Sequence, residues 1–210
     1  MSTSTDASRN GWTYSPGLDA LYIYLYWCFW IAVAFFSIYP TTNWITAHRD
    51  ATFDLYVQTE LGIPFVPQFI WAYLSMYVLF LVPLFAVRPE RMPKLGKQLI
   101  AGTIASGIIF LLLPANLGFA RSVPIDSAYS GIYASMFALD RPHNLVPSLH
   151  LVFSSAIVLA CTEASPPSYK IALFVWLTAI SLATLLVHQH HILDIVSAFL
   201  LVYFLQKYVR

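Results

Sequence analysis

A chain of 210 residues that is 59% hydrophobic and only 10% charged, with mean hydropathy +0.68, lies far outside the balance of a soluble globular domain. It reads as an integral membrane protein. The formal net charge of +1 and the lack of a basic stripe argue against nucleic acid as a partner, and Cys28 and Cys161, both inside apolar runs, argue against a disulfide framework or a thiolate metal site.

In chain order, residues 1–15 are polar and rich in Ser and Thr, without the apolar centre of a signal peptide, so they are expected to form a tail ahead of one catalytic domain over 16–210. A spanning helix needs about 20 mostly apolar residues. Six runs approach that length, at 21–39, 66–87, 99–113, 147–161, 169–187 and 191–205, and the third, fourth and sixth are short for a full span. The predicted fold class is therefore all-α: a polytopic membrane protein, a bundle of six transmembrane helices. Residues 40–67 are too polar to span yet carry Trp44, Phe53, Leu55, Tyr56 and Phe65 among charges, which predicts an interfacial helix between the first two spans.

Cation placement sets the expected orientation. With the N-terminus cytoplasmic, Arg9, Arg88, Arg91, Lys94, Lys97, Lys170, Lys207 and Arg210 fall inside, and Arg49, Arg121 and Arg141 fall outside. The long loop 114–146 and the turn at 188–190 then share the non-cytoplasmic face, which is where the polar residues gather.

Two motifs stand at the ends of apolar runs, Pro147-Ser148-Leu149-His150 and His190-His191-Ile192-Leu193-Asp194. Ionisable groups at membrane depth are costly and mark function. His190 and Asp194, four residues apart, share a face if the segment is helical, so the carboxylate can orient the imidazole and stabilise its positive charge. Pro147 suits the first turn of a helix. That would leave Ser148, Leu149 and His150 in the opening turn, where free N–H groups make an anion site. Ser148 adds a hydroxyl donor, His150 is placed to protonate a leaving group, and Arg121 and Arg141 are the cations of the 114–146 loop.

Pro-Ser-Leu-His followed some forty residues later by His-x-x-x-Asp resembles the type 2 phosphatidic acid phosphatase superfamily. Leu149 in the motif, with Asp140-Arg141-Pro142-His143-Asn144 ahead of it, is similar to the branch holding inositol phosphorylceramide and sphingomyelin synthases and their bacterial relatives. The resemblance implies a metal-independent enzyme without a cofactor. In it His190 is the nucleophile that forms a phosphohistidine, Asp194 orients it, and His150 is the general acid, so these three are the catalytic candidates. Ser148, Arg121, Arg141 and Asn144 are the phosphate-binding candidates. The family's third-motif Ser-Arg pair is here Ala183-Thr184, and its first-motif Lys is absent, so Arg121 is the first choice of substitute and Arg141 the second.

The implied substrate is a lipid phosphate or phospholipid held by the bilayer. Water as acceptor makes the protein a lipid phosphohydrolase, and an alcohol makes it a head-group phosphotransferase. Three other readings remain open: zinc held by His188, His190 and Asp194, a serine triad of Ser148, His190 and Asp194, and a non-catalytic lipid-binding or transport protein. A transporter is expected to show repeats or broken helices in matching halves, and none is visible. His188, His191 and His143 read more simply as hydrogen-bonded core histidines.

Overall fold

The computed structural model describes residues 16–124, 127–139 and 141–210, so the tail 1–15 and Asp140 of the loop motif lie outside the described residues. Among those residues the chain is all-helical, with one isolated bridge between Phe53 and Ala115 and no strand. Eight α-helices are present: α1 (Leu18–Thr46), α2 (Ile70–Leu79), α3 (Val82–Ala86), α4 (Met92–Leu112), α5 (Ser130–Leu139), α6 (Leu149–Thr162), α7 (Pro167–Leu186) and α8 (Ile192–Tyr208).

Three of them are long and apolar enough to cross a membrane, α1, α4 with the turn before it (Pro89–Leu112) and α7. Six spanning helices are not supported. The run 66–87 is interrupted at Phe80–Leu81, with Pro83 in the first turn of the five-residue α3, while α6 has 14 residues and α8 has 17. The interfacial helix predicted over 40–67 is also absent. Instead α1 continues through Pro40 to Thr46, and the rest is irregular apart from 3₁₀ turns at Gln58–Gly62 and Pro67–Phe69. Two of its charged residues, Asp54 and Glu60, accept hydrogen bonds from elsewhere in the chain, as shown below. The loop 114–146 contains α5, which an apolar decapeptide forms in the middle of it.

Small residues on α4 decide how the bundle packs. Trp27 of α1 lies over Gly96, where a Cβ would sit 2.1 Å from the indole, and Ile38 lies against Gly107, where a Cβ would sit 2.3 Å from a methyl. Both pairs have the same spacing along their helices, so α1 and α4 run side by side in one direction. Close backbone approach of this kind is how apolar helices associate when lipid-like surroundings offer no hydrophobic drive. On its other side α4 meets α6 and α8. Val152 faces Gly102, and Gln98 donates to Gln206 Oε1 at 3.2 Å. α6 is the most enclosed helix, with Leu151, Val152, Ile157, Val158 and Cys161 all inaccessible, whereas α1 packs only one, partly buried, face on the core.

The two ends of the bundle differ in charge. At one end Arg91 pairs with Glu163, Lys94 stands 3.7 Å from the same carboxylate, and Lys97 donates to the Arg210 carbonyl at 3.3 Å. The N-terminus of α4 therefore meets the C-terminal ends of α6 and α8. The N-termini of α6 and α8 accordingly lie together at the opposite end, where the two histidine motifs are.

Candidate active site

The turn between α7 and α8 is built on one carbonyl. Thr184 O accepts the N–H of Gln189 at 3.0 Å and of His190 at 3.1 Å, folding the chain back over the end of α7. His188 takes a left-handed backbone with φ 55, uncommon outside glycine. Its ring stacks on Phe119 at 4.0 Å and Nε2 donates to Ile63 O at 2.9 Å, which holds the reversal in place. Three residues of the turn, Gln189, His190 and His191, are buried.

His190 and Asp194 meet, although not on a shared helical face. α8 begins at Ile192 after the N-cap His191, so His190 precedes the helix and Asp194 occupies its first turn. Asp194 Oδ2 accepts both the His191 N–H at 2.8 Å and the His190 Nδ1–H at 3.0 Å. The carboxylate thus caps the helix and holds the ring with the same oxygen. Its acceptance at Nδ1 leaves the His190 lone pair on Nε2, which has no hydrogen-bond partner among the described residues. A neutral imidazole held at one nitrogen and open at the other is the form that can act as nucleophile or base.

The α6 N-terminus adjoins this pair through the Ser148 N–H, which donates to the Asp194 backbone carbonyl at 3.0 Å. Helix α6 starts at Leu149, two residues later than a helix-opening Pro147 predicts. Pro147 follows a cis peptide and lies outside the helix, and Ser148 is the N-cap. The N–H groups of Leu149 and His150 have no acceptor among the described residues, and Ser148 Oγ, fully buried, has none either. Orphan donors at a helix start favour an anion, reinforced by the helix dipole.

His150 stacks on Tyr73 at 4.0 Å and its Nε2–H donates to Tyr73 O at 2.9 Å, within electrostatic range of His190. Its proton therefore points toward α2. To protonate a leaving group, His150 must carry a second proton at Nδ1 or turn away from Tyr73.

Of the two loop arginines, Arg121 reaches the turn. Its Nη2 donates to Gln189 Oε1 at 3.3 Å, and the guanidinium lies 5.2 Å from the Phe137 ring centre on α5. Arg141 is exposed, and its carbonyl accepts from the Asn43 side chain on α1. Asn144 is not free to bind phosphate through its amide: Nδ2 donates to Tyr39 O at 2.8 Å and Thr42 Oγ1 at 3.0 Å, tying the loop to the end of α1. Its Oδ1 is buried without a partner, but a carbonyl oxygen repels phosphate. His143 lies near both arginines, and burial, with their charge added, holds its imidazole below the usual value.

A second buried carboxylate was not foreseen. Glu60, 4% exposed, accepts from His191 Nδ1 at 3.1 Å and from Ile192 N–H at 2.9 Å through Oε2, and from Val57 N–H at 3.2 Å through Oε1. His191 Nε2 accepts the Gly118 N–H at 3.3 Å, and the ring lies between Tyr56 and Phe119 at 4.6 and 4.4 Å. Burial pushes the His191 imidazole below its usual value against the opposing influence of Asp194 and Glu60. No local pattern marks Glu60 as part of this site, because the two partners that tie it to the α8 start are more than 130 residues away.

The alternative arrangements do not assemble here. His188 turns toward Ile63 and Phe119, so it does not join His190 and Asp194, and Ser148 Oγ makes no bond to His190. No protein-family model, curated protein or solved structure matches this chain.

Proposed function

We propose that this protein is a membrane enzyme that transfers the phosphoryl group of a lipid phosphate through a phosphohistidine at His190. One observation carries the reading. The His190 ring is anchored at Nδ1 by Asp194 and open at Nε2, beside a helix start whose donors have no acceptor. A phosphate there would take the Leu149 and His150 N–H groups and the Ser148 hydroxyl on its equatorial oxygens, with Arg121 adding positive charge. Nε2 attacks phosphorus in line as the bond to the lipid oxygen breaks, and His150 supplies the proton to that oxygen. His150, having given up its proton, takes one from the attacking water, whose oxygen displaces His190 from phosphorus, so that inorganic phosphate leaves and both rings return to their starting protonation states. Positioning and charge stabilisation dominate such transfers.

The resemblance to the type 2 phosphatidic acid phosphatase superfamily supports the same assignment. Leu149 and the preceding Arg-Pro-His-Asn favour a second acceptor, an alcohol head group, within the same mechanism. The three long apolar helices support a multi-pass membrane protein, and the cation-rich opposite end supports a site on the non-cytoplasmic side.

The test is purified protein presented with lipid phosphates and phospholipids in mixed micelles, with products resolved by mass spectrometry. Release of inorganic phosphate, or an exchanged head group, together with an acid-labile and base-stable phosphoenzyme, is the expected result. No turnover of any lipid phosphate and no phosphoenzyme would sink the proposal.

A further inference from the structure

Glu60 has no part in the phosphoryl transfer described above, yet it is bound to the residue next to the nucleophile. It comes from the segment between α1 and α2, and that segment is itself held. Phe53 N–H donates to Pro114 O at 2.8 Å, Asn116 N–H donates to Phe53 O at 2.9 Å, and Asn116 Nδ2 donates to Asp54 at 3.0 Å. Glu60 thus links a rigid loop pair to the start of α8. A surface carboxylate would gain little from such contacts, but a buried one is retained only if its bonds are satisfied, and here three donors satisfy it.

The two nitrogens of His191 are used in opposite senses. Gly118 donates to Nε2, so Nε2 is the lone-pair nitrogen and Nδ1 bears the proton given to Glu60. Gly118 is required for this approach, because a Cβ there would lie 2.5 Å from the Tyr56 ring. The His191 backbone N–H meanwhile donates to the Asp194 oxygen that holds His190. A continuous chain therefore runs from Gly118 through His191 to Glu60, and from the same residue through Asp194 to His190.

We infer that Glu60 is a positioning residue: by fixing His191 and the first N–H of α8, it sets where Asp194 places the His190 ring. The inference rests on His190 being the reactive imidazole. Groups that hold a reacting side chain act through its geometry, and small displacements are costly for in-line attack.

Glu60→Gln tests this at constant volume. Because Oε2 accepts both His191 Nδ1–H and Ile192 N–H while Oε1 accepts Val57 N–H, the amide sets its N–H₂ against either that pair or Val57 N–H, and the carboxylate charge that holds the His191 ring is lost in both orientations. The expected result is a kcat lower by about 10- to 100-fold with KM within about twofold. His191→Asn, whose amide keeps a donor near the Nδ1 position, should retain more activity than His191→Gln. Glu163→Gln, which removes a carboxylate at the far end, should leave kcat unchanged.

Imidazole nitrogen NMR of the resting protein provides a readout without substrate. In Glu60→Gln the His190 Nδ1–H resonance should shift and broaden, and in Glu163→Gln it should stay. Unchanged kcat together with an unchanged His190 resonance in folded Glu60→Gln would overturn the inference, as would equal loss in both His191 variants. If the wild-type protein proves inactive on every lipid phosphate, the catalytic reading fails by itself. The NMR comparison would still decide whether Glu60 positions His190.

Discussion

At the scale of single residues, the site depends on which nitrogen of each histidine is occupied. His190 is held at Nδ1 and open at Nε2, so His190→Ala should remove turnover by at least about 1,000-fold while leaving the lipid-facing surface and the fold intact. A folded variant with substantial activity would remove the nucleophile assignment. Asp194→Asn keeps an acceptor oxygen but loses the charge that stabilises a positive ring, and a loss of about 100-fold or more is expected. A covalent phosphohistidine also predicts that activity survives EDTA and falls with vanadate, measured as phosphate release; loss in chelator with recovery on zinc would contradict it. The neutral histidines carry a stability prediction. Burial lowers the His191 and His143 pKa values below about 6.5, so below that pH the unfolded chain binds more protons than the folded one. Stability is therefore full at neutral pH and declines as pH falls through that range. Melting temperature in detergent should drop between about pH 7 and 5, less steeply for His191→Asn, because one of the neutral buried rings has gone.

At the scale of elements, the site is made by helix starts, while the bundle is made by the small faces of α4. The Trp27 indole fills the space that a side chain at position 96 would need. Gly96→Ala should therefore push α1 away and cost about 1–3 kcal/mol, seen as a lower melting temperature with kcat little changed in the surviving folded protein. Gly107 faces the Ile38 Cγ2 methyl, a branch held close to the α1 backbone, so alanine there should lower the melting temperature as well. An unchanged melting temperature in Gly96→Ala would mean that α1 packing does not depend on the close approach of the indole. The capping of α8 by Asp194 and Glu60 also explains why the donors left without acceptors are those of α6. The α8 N–H groups of His191 and Ile192 are already bound by carboxylates, whereas those of Leu149 and His150 are not.

At the scale of the whole molecule, the charge difference between the two ends is the feature with topological consequence. Arg91 and Lys94 gather at Glu163 and Lys97 at Arg210, away from the histidine turn. Exposed ion pairs of this kind add little stability, so their value lies in orientation rather than in holding the fold. In a background lacking Cys28 and Cys161, an impermeant thiol reagent applied to intact cells should label a cysteine replacing Ser127 and leave one replacing Pro93 unlabelled. The reverse labelling would turn the molecule over and put the proposed site at the cytoplasmic leaflet, with the proposed catalytic residues unchanged.

Apolar composition and the lengths of the apolar runs made the all-helical class legible from the chain, and local spacing made the contact between His190 and Asp194 legible, because both belong to a single capped turn. Span number was not legible in the same way: a count of apolar residues does not register the break at Phe80–Leu81 or distinguish a 14-residue enclosed helix from a longer lipid-facing one. The interfacial helix failed because hydropathy sees the charges of 40–67 without their partners, and those partners are internal. The contact of Arg121 with Gln189, the use of the Asn144 amide on α1, and the clamp of Glu60 on His191 all join residues from separate elements. Only tertiary structure decides such contacts, since a buried carboxylate or amide takes whichever donors or acceptors the packing brings within about 3 Å, and nothing in the neighbouring sequence names them.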